Sequence, residues 1–196
     1  MKIFDMSEGA TPLTNDDLDG LIPSHYTSRS QLDAHEQANI IQARHWAFKS
    51  RKLKKDLISY SGLMLLHKKM FEDTWEWAGK LRTVQTNIGI EAIQISSELG
   101  KLTGDVSFWL KNDTYSLVEL AVRFHHRLVW IHPFPNGNGR HARLAADLFV
   151  EFNGGAELTW GRANLSFDSE NRKKYIDSLR CADNYDFKKL IDFATS

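Results

Sequence analysis

Residues 132–143 of this 196-residue chain read His-Pro-Phe-Pro-Asn-Gly-Asn-Gly-Arg-His-Ala-Arg, and this stretch decides how the rest of the chain is arranged. An apolar helical pattern at residues 117–131 leads into it, and a second pattern continues through residues 144–152. Two prolines end the first helix, because proline lacks the N–H that a helix interior needs, and Gly-Asn-Gly opens the second. The stretch therefore predicts a turn between two long helices.

This turn has the composition of an anion-binding site with a base beside it. A turn with few side chains at a helix N-terminus leaves backbone N–H groups pointing outward, where the helix dipole favours an anion. Arg140 and Arg143 share a helix face and can hold further anionic oxygens, while His132 adds a titratable nitrogen. A plain loop, two solvated arginines and a helix-ending histidine are the alternatives. The combination of all three features within twelve residues favours a polyphosphate site.

The stretch resembles the signature of the Fic family, His-x-Phe-x-(Asp/Glu)-Gly-Asn-Gly-Arg-x-x-Arg. The matching residues are His132, Phe134, Gly137, Asn138, Gly139, Arg140 and Arg143. Asn136 stands where the family usually has an acid. Leu-Leu-His at residues 65–67 and Trp-Ala-Gly-Lys-Leu-Arg at residues 77–82 are also similar to the family, so that the resemblance covers roughly residues 56–182. Among Fic proteins, the chain is similar to the small bacterial group called mobile mystery protein B.

The resemblance implies a mainly α fold, a Fic-type helical bundle with a short β-hairpin flap over the active site. Residues 1–55 are then an N-terminal arm with an inhibitory helix, and residues 56–196 are the Fic core with its C-terminal helices. The activity it implies is that of a protein adenylyltransferase, which moves AMP from ATP to a hydroxyl side chain of a target protein. The flap would dock a segment of that target by strand addition.

Within this family reading, His132 is the catalytic base that accepts the proton of the target hydroxyl. Backbone N–H groups around residues 137–139 stabilise the charge that develops on the transferred phosphate. The resemblance assigns an α-phosphate oxygen to Asn138 and the β- and γ-phosphates to Arg140 and Arg143. The complete predicted nucleotide-binding set is Asn136, Gly137, Asn138, Gly139, Arg140 and Arg143.

Asn136 is also the predicted metal ligand, since the family acid at this position binds Mg²⁺ (or Mn²⁺) that accompanies ATP. An amide oxygen is a neutral and weaker ligand than a carboxylate, so metal affinity and rate are both expected to fall. Two other functions stay open: a nucleotide-binding regulatory module with little or no turnover, and a Fic-type transferase of another phosphate-containing group. The intact remainder of the signature favours AMP transfer.

Glu36 is the predicted inhibitory residue. Fic proteins are often held inactive by a glutamate that pairs with the second arginine of the signature, here Arg143, and blocks the γ-phosphate. The family's inhibitory pattern, Ser/Thr-x-x-x-Glu-Gly/Asn, is absent around Glu36, because Leu32 and Gln37 occupy its two flanking positions. An exposed surface glutamate is the alternative interpretation, and Asp33 is the neighbouring acid that could act instead.

The net charge and the cysteine content indicate which partners and which cellular location to expect for this protein. A formal net charge of +0 argues against nucleic-acid binding as the main function. The single cysteine, Cys181, fits a reducing cytosol and is expected to be a buried small side chain. Neither a signal peptide nor a membrane-spanning stretch is visible, and we expect a cytoplasmic protein. The expected partners are a target protein and an antitoxin-like regulatory protein, with no nucleic acid and no membrane.

Periodicity predicts the remaining elements. Helices are expected at residues 29–48, from a cap at Asp56 onward, at 97–110, at 168–181 and at 185–193, with a basic connection at 51–56 and an irregular arm at 1–24. Alternating apolar residues predict a hairpin at 82–95. The positions expected to face inward on the first helix are Leu32, His35, Ile40, Ala43 and Phe48. The histidines expected to be structural are His67, His125 and His126.

Overall fold

The computed structural model describes residues 20–23, 28–162 and 169–196, and these residues are mainly helical. Their helices are α1 (Arg29–Lys49), α2 (Arg51–Asp56), α3 (Tyr60–Phe71), α4 (Ile95–Lys111), α5 (Leu117–Ile131), α6 (Asn138–Phe152), α7 (Ser169–Asp183) and α8 (Lys188–Thr195). Residues 1–19 and 24–27 lie outside the described residues, and they include most of the arm predicted at 1–24. Of the rest of that arm, Gly20 and Ile22 form backbone hydrogen bonds with residues 74–76, each 2.9 Å long.

Serine side chains fix where several helices begin. Ser28, Ser50, Ser59 and Ser116 are N-caps whose hydroxyl oxygens each accept a backbone N–H of the first turn, as serine commonly does. The predicted cap at Asp56 is therefore wrong, because this residue ends α2 and Ser59 caps the next helix. The basic connection is itself a short helix, since Ser50 caps its first turn through the N–H of Leu53.

Helices α5 and α6 pack against each other, and several other helices pack against this pair. Phe124 of α5 packs on Phe149 of α6, with ring centroids 5.9 Å apart. Helix α3 packs on α6 and α1 on α3, whereas α4 and α8 lie against α5. Because the turn that joins α5 and α6 holds the signature residues, this arrangement places α1 and α3 beside them. None of the helices among the described residues is long and apolar enough to span a bilayer.

The predicted hairpin at residues 82–95 is wrong. Residues 83–91 contain no strand, and a 3-10 turn, Ala92–Gln94, leads directly into α4. The side chain of Arg82 donates hydrogen bonds to the carbonyl oxygens of Val84 and Ile90, which a hairpin ladder would otherwise use. Side chain-to-backbone bonds have replaced cross-strand pairing here.

Most predicted helix boundaries fall within a few residues of the observed ones. The helix expected at 97–110 begins two residues earlier, at Ile95, a residue that the hairpin prediction places in a strand. The final helices begin at Ser169 and Lys188. Cys181 is half-buried on α7, not fully buried as expected. The expected stop of α6 is confirmed, since α6 ends at Phe152 shortly before the two glycines.

Candidate active site

His132 lies at the junction between α5 and the signature turn. It is the C-cap of α5 and adopts the left-handed conformation, with φ 53° and ψ 60°. Its N–H donates to the carbonyl of Leu128 at 3.1 Å, and the residue is 5% exposed. A left-handed non-glycine residue is uncommon and is found where the surrounding structure imposes it, often at functional sites. The turn therefore holds the predicted base in a fixed, nearly buried position.

Asn138 closes the turn. Its Oδ1 accepts the N–H of Phe134 at 2.9 Å, and its Nδ2 donates to the carbonyl of the same residue at 2.8 Å. The residue is 3% exposed, and its side chain is used by the loop backbone. A phosphate contact made by Asn138 would therefore use its backbone N–H. This group belongs, with those of Gly139 and Arg140, to the first turn of α6, where the helix supplies no acceptor.

Gly137 brings the turn against α3. It is the N-cap of α6 with φ 77°, and a Cβ at this position would lie 2.6 Å from the ring of Phe71. A side chain here would meet both a strained backbone conformation and a rigid aromatic ring. The first glycine of Gly-Asn-Gly is thus required by packing and by conformation. The N–H of Gly137 is bound by Oδ1 of Asn136 at 2.6 Å.

His67 of α3 packs against the signature turn and forms a hydrogen bond with its backbone. Its Nδ1 accepts the N–H of Gly79 at 3.0 Å, so its Nε2 carries the proton and donates to the carbonyl of Asn136 at 3.1 Å. Its ring stacks on Phe134 with centroids 3.6 Å apart. Burial, with a smaller effect of nearby His141, lowers the pKa of His67 well below its ordinary value and keeps the ring neutral. The expected structural histidine therefore also orients the signature loop.

Arg140 is held by a buried glutamate. Its Nη1 donates to Oε2 of Glu36 at 2.6 Å, and its guanidinium lies over the ring of Phe71, 5.0 Å from the centroid. The other carboxylate oxygen of Glu36 accepts the indole N–H of Trp75 at 2.7 Å. The Glu36 side chain is 4% exposed and that of Arg140 is 23% exposed. The Glu36 carboxylate thus binds the guanidinium of Arg140 on the side that faces the protein interior. Arg140 is one of the two arginines that are predicted to bind phosphate.

The predicted pairing of Glu36 with Arg143 is wrong, because the glutamate pairs with the first arginine of the signature. Arg143 lies one turn further along α6 and faces α7, where its guanidinium is over the ring of Tyr175 at 5.4 Å. The exposed-surface interpretation of Glu36 is also wrong. Leu32, Glu36 and residues 39, 43 and 47 form one buried stripe of α1, in which the glutamate is 3% exposed. Of the other positions expected to face inward, Ile40 is partly buried against the core, His35 is half-buried, and only the assignment of Phe48 is wrong, since this residue is 36% exposed.

Comparison with known proteins finds a likeness to one family over part of the chain. Residues 57–150 match the Fic/DOC family. The predicted likeness to the Fic family is thereby confirmed for these residues, which are 94 of the 196 in the chain. It is 28% identical over 143 residues to protein adenylyltransferase fic-1 of Caenorhabditis elegans, an alignment that covers 70% of this chain and 27% of that protein. The chain therefore spans about a quarter of the length of that curated relative.

Two solved Fic domains have the same fold. The N-terminal Fic domain of the VirB-translocated effector Bep8 from Bartonella sp. 1-1C aligns with a TM-score of 0.67 and 19% identity, over 87% of this chain and 86% of that one. The N-terminal Fic domain of a VirB-translocated Bep effector from Bartonella quintana, with bound ADP, aligns with a TM-score of 0.66 and 18% identity, over 87% and 86% of the two chains. The predicted Fic fold is thereby confirmed.

His132, the predicted catalytic base, has a strongly shifted pKa. Burial, followed by the positive charge of Arg82, lowers the pKa of His132 from 6.5 to about 4, and a hydrogen bond with the backbone of Val129 opposes this shift in part. At neutral pH the imidazole is consequently unprotonated. It is able to accept a proton but not to donate one at the start of a reaction.

The residues of the turn do not fit a protein-held Mg²⁺ site. The described part of the chain contains no group of three or more His, Cys, Asp or Glu side chains that could hold a metal ion. Asn136 offers one neutral oxygen, and that oxygen already accepts the N–H of Gly137. Mg²⁺ sites usually use one or two carboxylates together with substrate phosphates.

A second buried polar network lies behind Arg143. The ring of Tyr175 lies under the guanidinium of Arg143, and its hydroxyl lies 3.0 Å from Nε2 of His125. The ring of His125 lies against Trp160, whose indole N–H donates to Asp147 at 2.7 Å. The network connects the second signature arginine to α7. His126 points elsewhere, to Asp183 at 2.8 Å, so the two adjacent histidines lie on different faces, as expected.

Asp147 makes stability depend on pH. Burial raises the pKa of this carboxyl from 3.8 to about 7, although Trp160 and Arg44 oppose the shift. Between these two values the folded chain keeps a proton that the unfolded chain has lost, so this group makes folding less favourable as pH rises from about 4 to 7. We expect Asp147→Asn, whose amide oxygen still accepts the Trp160 N–H, to raise the melting temperature at pH 8 and to change it little at pH 5. Thermal unfolding of both chains across this range checks it, and an equal effect at both pH values would contradict it.

Sequence reasoning missed three residues that shape the site. Trp75 binds the carboxylate of Glu36, His67 orients the loop, and Arg82 reaches the carbonyl of His132 with its Nε at 2.7 Å. His67 and Arg82 belong to the two flanking stretches in which the family likeness is visible, and Trp75 lies between them. That likeness was the available signal, but it assigned these side chains no partner.

Proposed function

We propose that this chain is a protein adenylyltransferase, which transfers AMP from ATP to a hydroxyl side chain of a target protein. The observation that carries the proposal is the position of His132, which is buried and neutral at the start of the turn that leads into α6. The first turns of α6 also contain Arg140 and Arg143. The curated relative from Caenorhabditis elegans is named for this activity. The Bartonella quintana domain of the same fold has ADP bound.

In the proposed reaction the target hydroxyl attacks the α-phosphorus of ATP. The bond between this phosphorus and the oxygen that bridges to the β-phosphate breaks, and pyrophosphate leaves. The imidazole of His132 takes the hydroxyl proton, which it can do because its pKa of about 4 leaves it unprotonated at neutral pH. A hydroxyl alone is too weak a nucleophile for this attack, so the base is the first requirement.

The first turn of α6 is proposed to hold the phosphates. The N–H groups of Asn138, Gly139 and Arg140 point out of the helix at the positive end of its dipole, which favours an anion. The guanidiniums of Arg140 and Arg143 are proposed to bind the β- and γ-phosphates. We assign Asn138 to the α-phosphate through its backbone N–H, because its side chain is used by the loop. Mg²⁺ or Mn²⁺ then arrives with ATP as part of the substrate.

Glu36 is proposed to restrain this activity. Its carboxylate forms an ion pair with Arg140. A phosphate would therefore have to compete with this carboxylate for the same guanidinium. The buried position of Glu36 and its second bond, from Trp75, keep the carboxylate aimed at this arginine. Both observations support autoinhibition, with Arg140 and not Arg143 as the blocked group.

A nucleotide-binding regulatory module with little turnover is the second candidate function. The observation that favours it is Asn136, which replaces a carboxylate by a neutral amide whose oxygen is already bound to the loop. We further propose an antitoxin-like partner, a target docked on residues 82–91, a cytoplasmic location, and a division of the chain into residues 1–55 and 56–196.

ATP labelled separately at the α- and γ-phosphates distinguishes these functions. We expect the chain, incubated with Mg²⁺ or Mn²⁺ and a cell lysate, to label protein from the α-position only. Labelling from the γ-position would indicate a phosphotransferase instead. Measurable ATP binding without label from either position, also in the Glu36→Gly variant, would contradict AMP transfer and support the binding module.

A further inference from the structure

The side chain of Arg82 donates to backbone carbonyl groups of two different segments. Its Nε donates to His132 at 2.7 Å and its Nη2 to Ile131 at 3.5 Å. On the other side, its Nη1 donates to Val84 at 3.0 Å and its Nη2 to Ile90. One guanidinium therefore joins the end of α5 to the segment at residues 82–91.

The backbone of Arg82 adds a further bond to the same place. Its N–H donates to the carbonyl of Pro133 at 2.9 Å. The three consecutive carbonyls of residues 131–133 are consequently all bound by Arg82, which is 3% exposed. Those carbonyls flank the left-handed backbone of His132. A left-handed non-glycine residue persists only where its surroundings over-determine it, and the bonds from Arg82 supply this constraint.

Gly89 shows how closely the two segments fit. Its φ is 95°, and a Cβ built on it would overlap the Cβ of His132 and lie 3.0 Å from Nη2 of Arg82. The segment at residues 82–91 is therefore packed directly on the histidine. The position of His132 depends on this segment as well as on α5.

We propose that Arg82 is the positioning residue of the active site: it fixes the backbone conformation of His132 and couples it to the segment at residues 82–91. The inference rests on the proposed transferase function for its kinetic consequences. The hydrogen bonds of Arg82 go to residues 131–133 and to its own segment, so it acts on the base and not on the phosphate site. The positive charge of Arg82 also lowers the pKa of His132, an effect second to that of burial. Burial lowers the pKa of Arg82 itself, and the negative charge of Glu91 opposes this shift.

Two substitutions separate the geometry of Arg82 from its charge. Arg82→Lys keeps the positive charge but cannot span carbonyls on both sides, because an ammonium is a point donor and a guanidinium a planar fork. Arg82→Gln loses the charge as well. We expect kcat to fall on the order of 100-fold in both variants, as for a misplaced catalytic group, with the KM for ATP changed by less than about threefold.

The ring resonances of His132 provide a readout that does not require activity. In Arg82→Gln the pKa of His132 is expected to rise above about 4, because the nearby charge is gone, but to stay below the ordinary value, because burial, the larger cause, remains. In Arg82→Lys the pKa should stay low while kcat falls. Arg123→Gln is the control, since Arg123 is a half-buried arginine of α5 that pairs with Glu119 and lies away from the turn. It should leave both readouts unchanged.

Gly89→Ala tests the same contact from the other segment. The added methyl group overlaps His132, so kcat should fall with little change in the KM for ATP. Gly100→Ala is the matched control, because Gly100 lies in α4 and no neighbouring atom lies within 4 Å of the position that its methyl group would take. Alanine there should leave kcat unchanged and stabilise the helix.

Unchanged kcat in Arg82→Lys and Gly89→Ala would overturn the positioning role. So would a loss of kcat in Arg82→Lys that is matched by an equal change in Arg123→Gln. If the native chain transfers no nucleotide at all, the proposed function fails, but the His132 titration in the two Arg82 variants still decides the inference. An unchanged His132 pKa in Arg82→Gln, together with His132 ring resonances at their native positions in Arg82→Lys, would then overturn it.

Discussion

His132→Ala is expected to reduce AMP transfer about 100- to 10,000-fold, the range in which general-base catalysis contributes. The imidazole is the buried group at the lip of the turn that is unprotonated at neutral pH. Removing it leaves the target hydroxyl without a proton acceptor but leaves the N–H groups of α6 in place. ATP affinity, measured by calorimetry, should therefore change little while the rate of α-label transfer collapses.

His45→Ala is the control for this variant, because His45 is an exposed histidine of α1. It should transfer label at the native rate. Retention of more than about a tenth of the native rate by His132→Ala would contradict the role of this residue as the base, since even weak general-base catalysis contributes more.

The pH dependence of the rate follows from the same residue. With a pKa of about 4, His132 is already unprotonated at pH 6, so the rate should be flat between pH 6 and pH 8 as far as this group is concerned. The rate should fall only as pH approaches 4, where the imidazole becomes protonated. An inflection near the ordinary histidine value of about 6.5 would show that the imidazole is solvated during catalysis.

The signature turn could be predicted from sequence because its chemistry is contiguous. The helix ends, the two glycines and the arginines are all read from twelve neighbouring residues. The binding partner of each arginine could not be predicted in this way. Which of Arg140 and Arg143 meets Glu36 depends on the rotation of α1 and on Tyr175 of α7, which draws the second arginine away.

The failed hairpin prediction has a similar cause. Alternating apolar residues at 84–90 indicate a strand only if neighbouring backbone groups pair with one another. Arg82 binds the carbonyls of Val84 and Ile90 instead, and sequence periodicity carries no information about the partners of such a long side chain. By contrast, the burial of Glu36 was readable in principle, because Leu32, Glu36 and Asn39 follow the helical repeat of the buried stripe.

Glu36→Gly is expected to raise the rate of AMP transfer by about 10- to 100-fold, the range of typical coupling between two sites. Removing the carboxylate frees the guanidinium of Arg140, whose side chain is 23% exposed and can turn toward a phosphate. ATP affinity should rise together with the rate. The rate of α-label transfer and the dissociation constant of ATP are the two measurements, each compared with the native chain.

Glycine also weakens α1, by about 1 kcal/mol relative to alanine, so a helix-preserving variant is needed. Glu36→Gln keeps an acceptor for the Trp75 N–H but removes the charge that holds Arg140, and it should activate as well. Trp75→Phe keeps an aromatic ring but loses the N–H that aims the carboxylate, and a smaller increase is expected. Asp33→Asn, which changes the neighbouring acid of the same helix, should have no effect.

The pattern across these variants decides what Glu36 does. Activation by both Glu36 substitutions, but not by Asp33→Asn, places the restraint on the carboxylate that binds Arg140. Activation by Asp33→Asn alone would assign it to the other acid. If His132→Ala abolishes transfer while neither Glu36 variant changes the rate or the ATP affinity, the buried pair only anchors α1 to α6, and the native chain is already uninhibited.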